Sequence, residues 1–179
     1  MPRLDPADTE HRRALHRWLN SWGCRIRYPQ PGEPDLFDVA LAEWWTRRRR
    51  ALGAVREPLA QLTDHHVRVL VGAFDDLRAS VVAPRRTLGS TAAAKCLYVL
   101  LPRTVMPWDQ AIAEHLHGGR DGVAFAAHLA LGRRWAAALL AEAGTGEDDV
   151  VDALGRPGSS LARVLDEHCY VTFTLDTRP

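Results

Sequence analysis

Lysine is nearly missing from this chain of 179 residues: Lys95 is the only one, and the other 22 basic side chains are arginine. Guanidinium stays protonated and cannot serve as a nucleophile, so side-chain amine chemistry is excluded everywhere but at Lys95. Cysteine is also scarce. Cys24, Cys96 and Cys169 are too few and too scattered for a disulfide framework or a metal-ligand spacing, and are expected to be small buried side chains in a reducing compartment. No apolar run reaches membrane-spanning length, and "MPRLDPADTEHRRALHRWLN" at the start carries charges throughout. Neither a membrane segment nor a signal peptide is expected, and a cytoplasmic location is. Phosphate-binding, dinucleotide, nucleophile-elbow and two-histidine zinc motifs are absent, which disfavours those enzyme classes. The eight histidines, His65 beside His66 and His115 one residue from His117 among them, show no recognised ligand spacing, so neither metal nor cofactor is expected.

What is present describes one globular domain: 46% hydrophobic and 25% charged residues suffice for a core. The net charge of +1 conceals an uneven distribution. No acidic residue occurs between Asp76 and Asp109, a span holding Arg78, Arg85, Arg86, Lys95 and Arg103, whereas Asp109 to Pro179 has eleven acids against six arginines. The basic span is either a solvated face or an anion-binding surface.

Helical signals run almost the whole length. Asp5 and Pro6 read as an N-cap and first turn of a helix that stops at Gly23, followed by a proline-rich loop. Asp35 caps a second helix with Phe37, Leu41, Trp44 and Trp45 at helical spacing, ending in the arginines 47–50, which suit either a helix C-terminus or nucleic acid. Thr63 and Asp64 open a third, with Val67, Leu70, Val71, Phe74 and Leu77, and "VVAPRRTLG" follows as a loop. Ser90 then caps a helix containing Lys95 that ends by Pro102. Asp109 stands at the N-cap of a short helix stopped by Gly118 and Gly119. A longer helix spans about 121–143, residues 144–149 are the one plausible linker, and a weaker helix spans 159–167. The alternation of Cys169, Val171, Phe173 and Leu175 predicts a short extended C-terminal tail. The expected class is all-α, a single domain over 1–179.

The stretch "GSTAAAKCLYVLLPRTVMPWDQAIAEHL" resembles the helix-hairpin-helix DNA glycosylases, the superfamily of endonuclease III and the adenine-specific mismatch glycosylase. Gly89, Ser90, Thr91 and Ala92 match the start of the family's helix. Pro107 and Asp109 match its distal element, with the aspartate eighteen positions after Thr91. The resemblance implies a glycosylase-like helical core over 63–143 with 1–62 and 150–179 packed around it, duplex DNA as partner, and Asp109 as the catalytic carboxylate. Departures are plain: "PRRTLGS" keeps one hairpin glycine, Ser90 stands where bifunctional members carry their Schiff-base lysine, and no four-cysteine iron–sulfur cluster can be built.

The chemistry suits these residues. Breaking an N-glycosidic bond develops oxocarbenium character at the sugar, which a carboxylate such as Asp109 stabilises while activating water. The base must leave the stack, which calls for a wedge or stacking ring, here Trp108, and for phosphate anchors, here Arg85, Arg86, Gly89, Ser90, Thr91 and Arg103. Lys95 is a candidate for covalent catalysis as a Schiff-base amine, against a plain role with its stem on apolar surface, an ion pair with Asp109 or a phosphate contact. Three functions follow: hydrolysis of the glycosidic bond of a modified or mismatched base, a binding or interaction module on a degenerate glycosylase fold, and an N-glycosidase for a free nucleoside or nucleotide.

Overall fold

A computed structural model of the chain describes residues 4–175. The described residues are all-α apart from one small hairpin: α1 (Thr9–Ser21), α2 (Leu36–Gly53), a 3-10 turn (Leu59–Gln61), α3 (Asp64–Ala79), β1 (Val81–Ala83), β2 (Arg86–Thr87), α4 (Ser90–Leu100), α5 (Gln110–His117), α6 (Gly122–Ala143), α7 (Glu147–Ala153) and α8 (Leu161–Tyr170). One buried cluster runs through all eight helices.

Helix α1 starts later than Asp5 and Pro6 suggest. Arg12 donates to the carbonyls of Pro6 and Ala7, each at 2.9 Å, and pairs with Asp38 at 2.8 Å, which holds residues 5–7 in a turn. Asp8 therefore makes the cap, accepting from the amides of Glu10 and His11. The same guanidinium joins α1 to α2. Trp44 on α2 donates from its indole to the carbonyl of Ala73 at 2.9 Å, and Arg48 reaches Asp76, so α2 lies along α3. Of the four arginines, Arg48 thus serves packing.

"VVAPRRTLG" is an antiparallel hairpin with an irregular register between Val81 and Ala83, turned at Pro84 and Arg85, where Arg85 has φ 60°. Proline fixes the first turn position and the next residue takes the left-handed conformation. The cap of α4 also differs from expectation. Gly89, at φ 80°, occupies the N-cap position without a side-chain bond, and Ser90 is the first helical residue, its hydroxyl donating to the carbonyl of Arg120. Helix α4 buries Ala92 to Leu97 against α3 and α1, as an apolar run predicts.

Residues 144–149 are no linker. Glu147 opens α7 and its carboxylate accepts the amide of Leu161 at 3.0 Å, tying α7 to α8. The expected extended tail is helical through Leu175. Helix α8 buries Leu161, Ala162, Leu165, Asp166 and Cys169 and passes into a π-helical turn, Val171–Leu175. An isolated strand would have no ladder partner here, and Leu165, Cys169 and Phe173 recur every four residues, a helical stripe beneath the alternation. Asp176, which closes the expected strand motif, lies outside the described residues.

The core centres on Trp108, which packs edge-on to Phe74 and Phe125, with those two rings stacked at 4.2 Å. Residues 102–108 are irregular backbone that enters this interior at Thr104, and three of its carbonyls have specific partners: Ser160 donates to Pro102, Leu59 to Arg103, and His128 Nε2 to Pro107 at 3.2 Å. With Nε2 as donor, His128 Nδ1 accepts from His117 Nε2 at 3.0 Å. Burial, with His117 beside it, drives His128 down to about 3 and keeps it neutral.

The sign of the resulting pH dependence follows from linkage. His128 ionises near 6.5 when unfolded and near 3 when folded, so its contribution is complete above pH 6.5 and is lost as pH falls toward 3. His128→Gln removes that loss. The stability difference between wild type and His128→Gln, from urea midpoints, should narrow by about 2 kcal/mol between pH 7 and pH 4.5; a constant difference would show that the imidazole is not held neutral.

Candidate functional site

An open cleft of about 780 Å³ lies where the C-terminus of α1, the β2–α4 junction, the start of α5 and the C-terminal turn meet. Sequence-distant predictions converge on it. Arg86, Gly89, Ser90, Thr91, Lys95 and Asp109 all line it. The groove of about 500 Å³ between α2, α3 and β1 contains none of them.

Asp109 is half-buried at the mouth of α5. Its Oδ1 accepts the amide of Ile112 at 2.9 Å, the ordinary N-cap bond, and its Oδ2 accepts the hydroxyl of Thr174 at 2.8 Å. A carboxylate has about four acceptor sites, so one bond to each oxygen leaves capacity toward the cleft. Opposite, the first turn of α4 presents the amides of Ser90, Thr91 and Ala92, which find no hydrogen-bond partner among the described residues. These are the orphan donors of a helix start, where anions are favoured. Arg86 borders them, exposed and without an ion pair among the described residues.

Lys95 is 8% exposed. Its ammonium donates to the carbonyl of Trp22 at 2.9 Å and lies 5.0 Å from the centre of the Trp22 ring. Trp22 is the C-cap of α1, so the amine sits at the negative end of that helix. No ion pair joins Lys95 to Asp109 among the described residues. Arg163 shares the indole, 4.6 Å from the ring centre, and pairs with Asp166 at 2.6 Å. Burial pushes Asp166 up to about 7; Arg163 and Lys95 pull it down and are outweighed, and Asp109 adds to the rise.

No family model, curated protein or solved structure matches the chain.

Three predicted site residues are elsewhere. Trp108 is 1% exposed, locked among Phe74, Phe125 and His128, so its ring is closed to stacking with any ligand. Arg103 lies past the opposite end of α4 and pairs with Asp148 and Glu147 at the start of α7. Its charge serves that helix terminus. Arg85 is exposed at the hairpin tip, outside the cleft lining.

The cleft also has walls that sequence reading missed: Trp22, Arg120, Tyr170 and Thr174. Arg120 is held by Gln110 at 2.9 Å. Tyr170 is 39% exposed and makes no ring contact among the described residues. Asp166, Tyr170 and Thr174 are spaced four apart, a helical signal that the strand-like alternation obscured. Among the described residues no three His, Cys, Asp or Glu side chains group as metal ligands, and no helix is long and apolar enough to cross a membrane.

Lys95→Met keeps the stem and removes the donor, leaving the Trp22 carbonyl short of a partner. A loss of about 1–3 kcal/mol is expected from thermal or urea unfolding. An unchanged midpoint would mean that the amine contributes nothing to closing α1.

Proposed function

We propose that this chain is a monofunctional DNA glycosylase-like hydrolase of a modified or mismatched base, with Asp109 as the catalytic carboxylate. The observation that carries the reading is the convergence of Asp109 with the unpartnered amides of α4 and with Arg86 across one open cleft. A phosphate on those amides and that guanidinium brings the adjoining sugar toward Asp109. The carboxylate faces the carbon that develops positive charge, and a lone pair left by its two bonds accepts a proton from the attacking water. Tyr170, exposed on the wall, takes the stacking role expected of Trp108. Lys95 stays noncovalent in this reading, since its ammonium is already engaged with Trp22.

Two observations favour the second reading, a binding module without chemistry: both oxygens of Asp109 already accept hydrogen bonds, and a β-hairpin stands where the glycine hairpin belongs. Asp109→Asn separates the two. Asparagine caps a helix as well as aspartate does, so the fold persists. Abasic-site formation on a panel of modified duplexes should fall by about 100-fold or more, as expected when a transition-state charge partner is lost. Base release by Asp109→Asn at the wild-type rate overturns Asp109 as the catalytic carboxylate, and no release from either protein leaves only the binding module.

Binding tests the anion surface independently. Arg85→Ala with Arg86→Ala should weaken duplex binding regardless of sequence and flatten the slope of log affinity against log salt by about two, measured by anisotropy between roughly 50 and 200 mM salt. An unchanged slope would move the DNA surface away from the hairpin, toward Arg47 to Arg50.

A further inference from the structure

Among the described residues four aspartates cap helices, and they form an internal comparison. Asp8, Asp35 and Asp121 each use Oδ1 to accept amides of the first turn, and their Oδ2 atoms accept no hydrogen bond among the described residues. Capping therefore needs one oxygen. Asp109 caps α5 in the same way, yet its Oδ2 also accepts a hydroxyl from Thr174, 65 residues further along the chain. The cap does not explain that second bond.

The placement of Thr174 is itself specific. It is 8% exposed and sits in the π-helical turn that follows α8, a rare geometry found preferentially at functional sites. One residue earlier, Phe173 stacks on His115 of α5, with centres 4.4 Å apart and planes inclined by 26°. The turn is thus pinned to the helix that Asp109 opens, and the Thr174 hydroxyl reaches a carboxylate already fixed at its other oxygen. With both oxygens held, the carboxylate plane cannot swing about its bond to the side chain.

We infer that Thr174 is a positioning residue, which orients the carboxylate of Asp109 for its part in glycosidic-bond cleavage. The inference rests on the reading of Asp109 as the catalytic carboxylate. It makes the C-terminal turn part of the reaction site. A carboxylate free to rotate spends much of its time with no lone pair directed at the sugar or the water, and preorganisation removes that loss before the transition state is reached.

Thr174→Val keeps the shape and deletes the donor; Thr174→Ser restores the donor. The measurements are single-turnover base release from the duplex that the wild-type protein cleaves fastest, binding to a duplex carrying a tetrahydrofuran abasic analogue, and the unfolding midpoint. Thr174→Val should lower the release rate by about tenfold, the effect of one charge-assisted hydrogen bond, with the affinity for the abasic-analogue duplex unchanged. Thr174→Ser should recover most of the rate. Wild-type release in Thr174→Val while Asp109→Asn is inactive overturns the inference and leaves the glycosylase reading standing. Parallel losses of rate, affinity and midpoint in Thr174→Val, without recovery in Thr174→Ser, make the residue merely structural and also overturn it. No release from any duplex by the wild-type protein removes the glycosylase reading and this role with it.

Discussion

The hydrogen bond from the buried imidazole of His128 to the carbonyl of Pro107 is the constraint on which the cleft depends. Proline cannot donate and drives the residue before it out of helical geometry, so residues 102–108, buried from Thr104 onward, run as irregular backbone. Buried polar groups of such a segment have to be satisfied individually. Ser160, Leu59 and His128 do this from three different parts of the chain, and Thr104 returns a bond to the carbonyl of Glu57 at 2.8 Å. Trp108 then fills the centre of the core, and Asp109 emerges next to it at the surface. An aspartate that follows such a closed residue has little freedom in where it points.

The same economy of partners explains the lone lysine. The Trp22 carbonyl at the end of α1 is reached with one donor by a compact ammonium on a flexible stem, from a buried position on α4. Arginine would bring a broad fork needing several acceptors into the same space. Arg163 is found where such a fork can be satisfied, between the Trp22 ring, Asp166 and Glu167. Two cations and the acid Asp166 around one indole make a dense electrostatic floor beside the cleft. Burial of Asp166 leaves that floor sensitive to protonation near neutral pH.

Much of this architecture is legible in order along the chain because local forces create it. Asp35, Thr63 and Asp109 announce helix starts through hydrogen bonds to amides three residues on, and Gly23, Gly118 and Gly144 end helices by accepting the left-handed backbone. The all-α single domain, the burial along α4 and the position of Asp109 at the start of α5 follow from such signals. Misreadings arose where a distant partner outweighed a local preference. Arg12 moved the first cap from Asp5 to Asp8, the carbonyl of Arg120 drew the Ser90 hydroxyl away from capping, and Glu147 turned an apparent linker into α7.

By itself, then, the sequence determined the all-α class, where most of the helices lie and which of their faces are apolar, and that Lys95 and Asp109 belong to one basic, glycine-led segment. Tertiary structure alone decided which side chains share a cleft. Nothing local tells that Trp108 is sealed in the core while Tyr170 is exposed, that Arg103 is neutralised by α7 while Arg86 has no ion pair among the described residues, or that Thr174 meets Asp109. The reason is physical: capping and periodicity are written within a few residues, whereas desolvation and charge pairing depend on which surfaces remain once all the helices have packed.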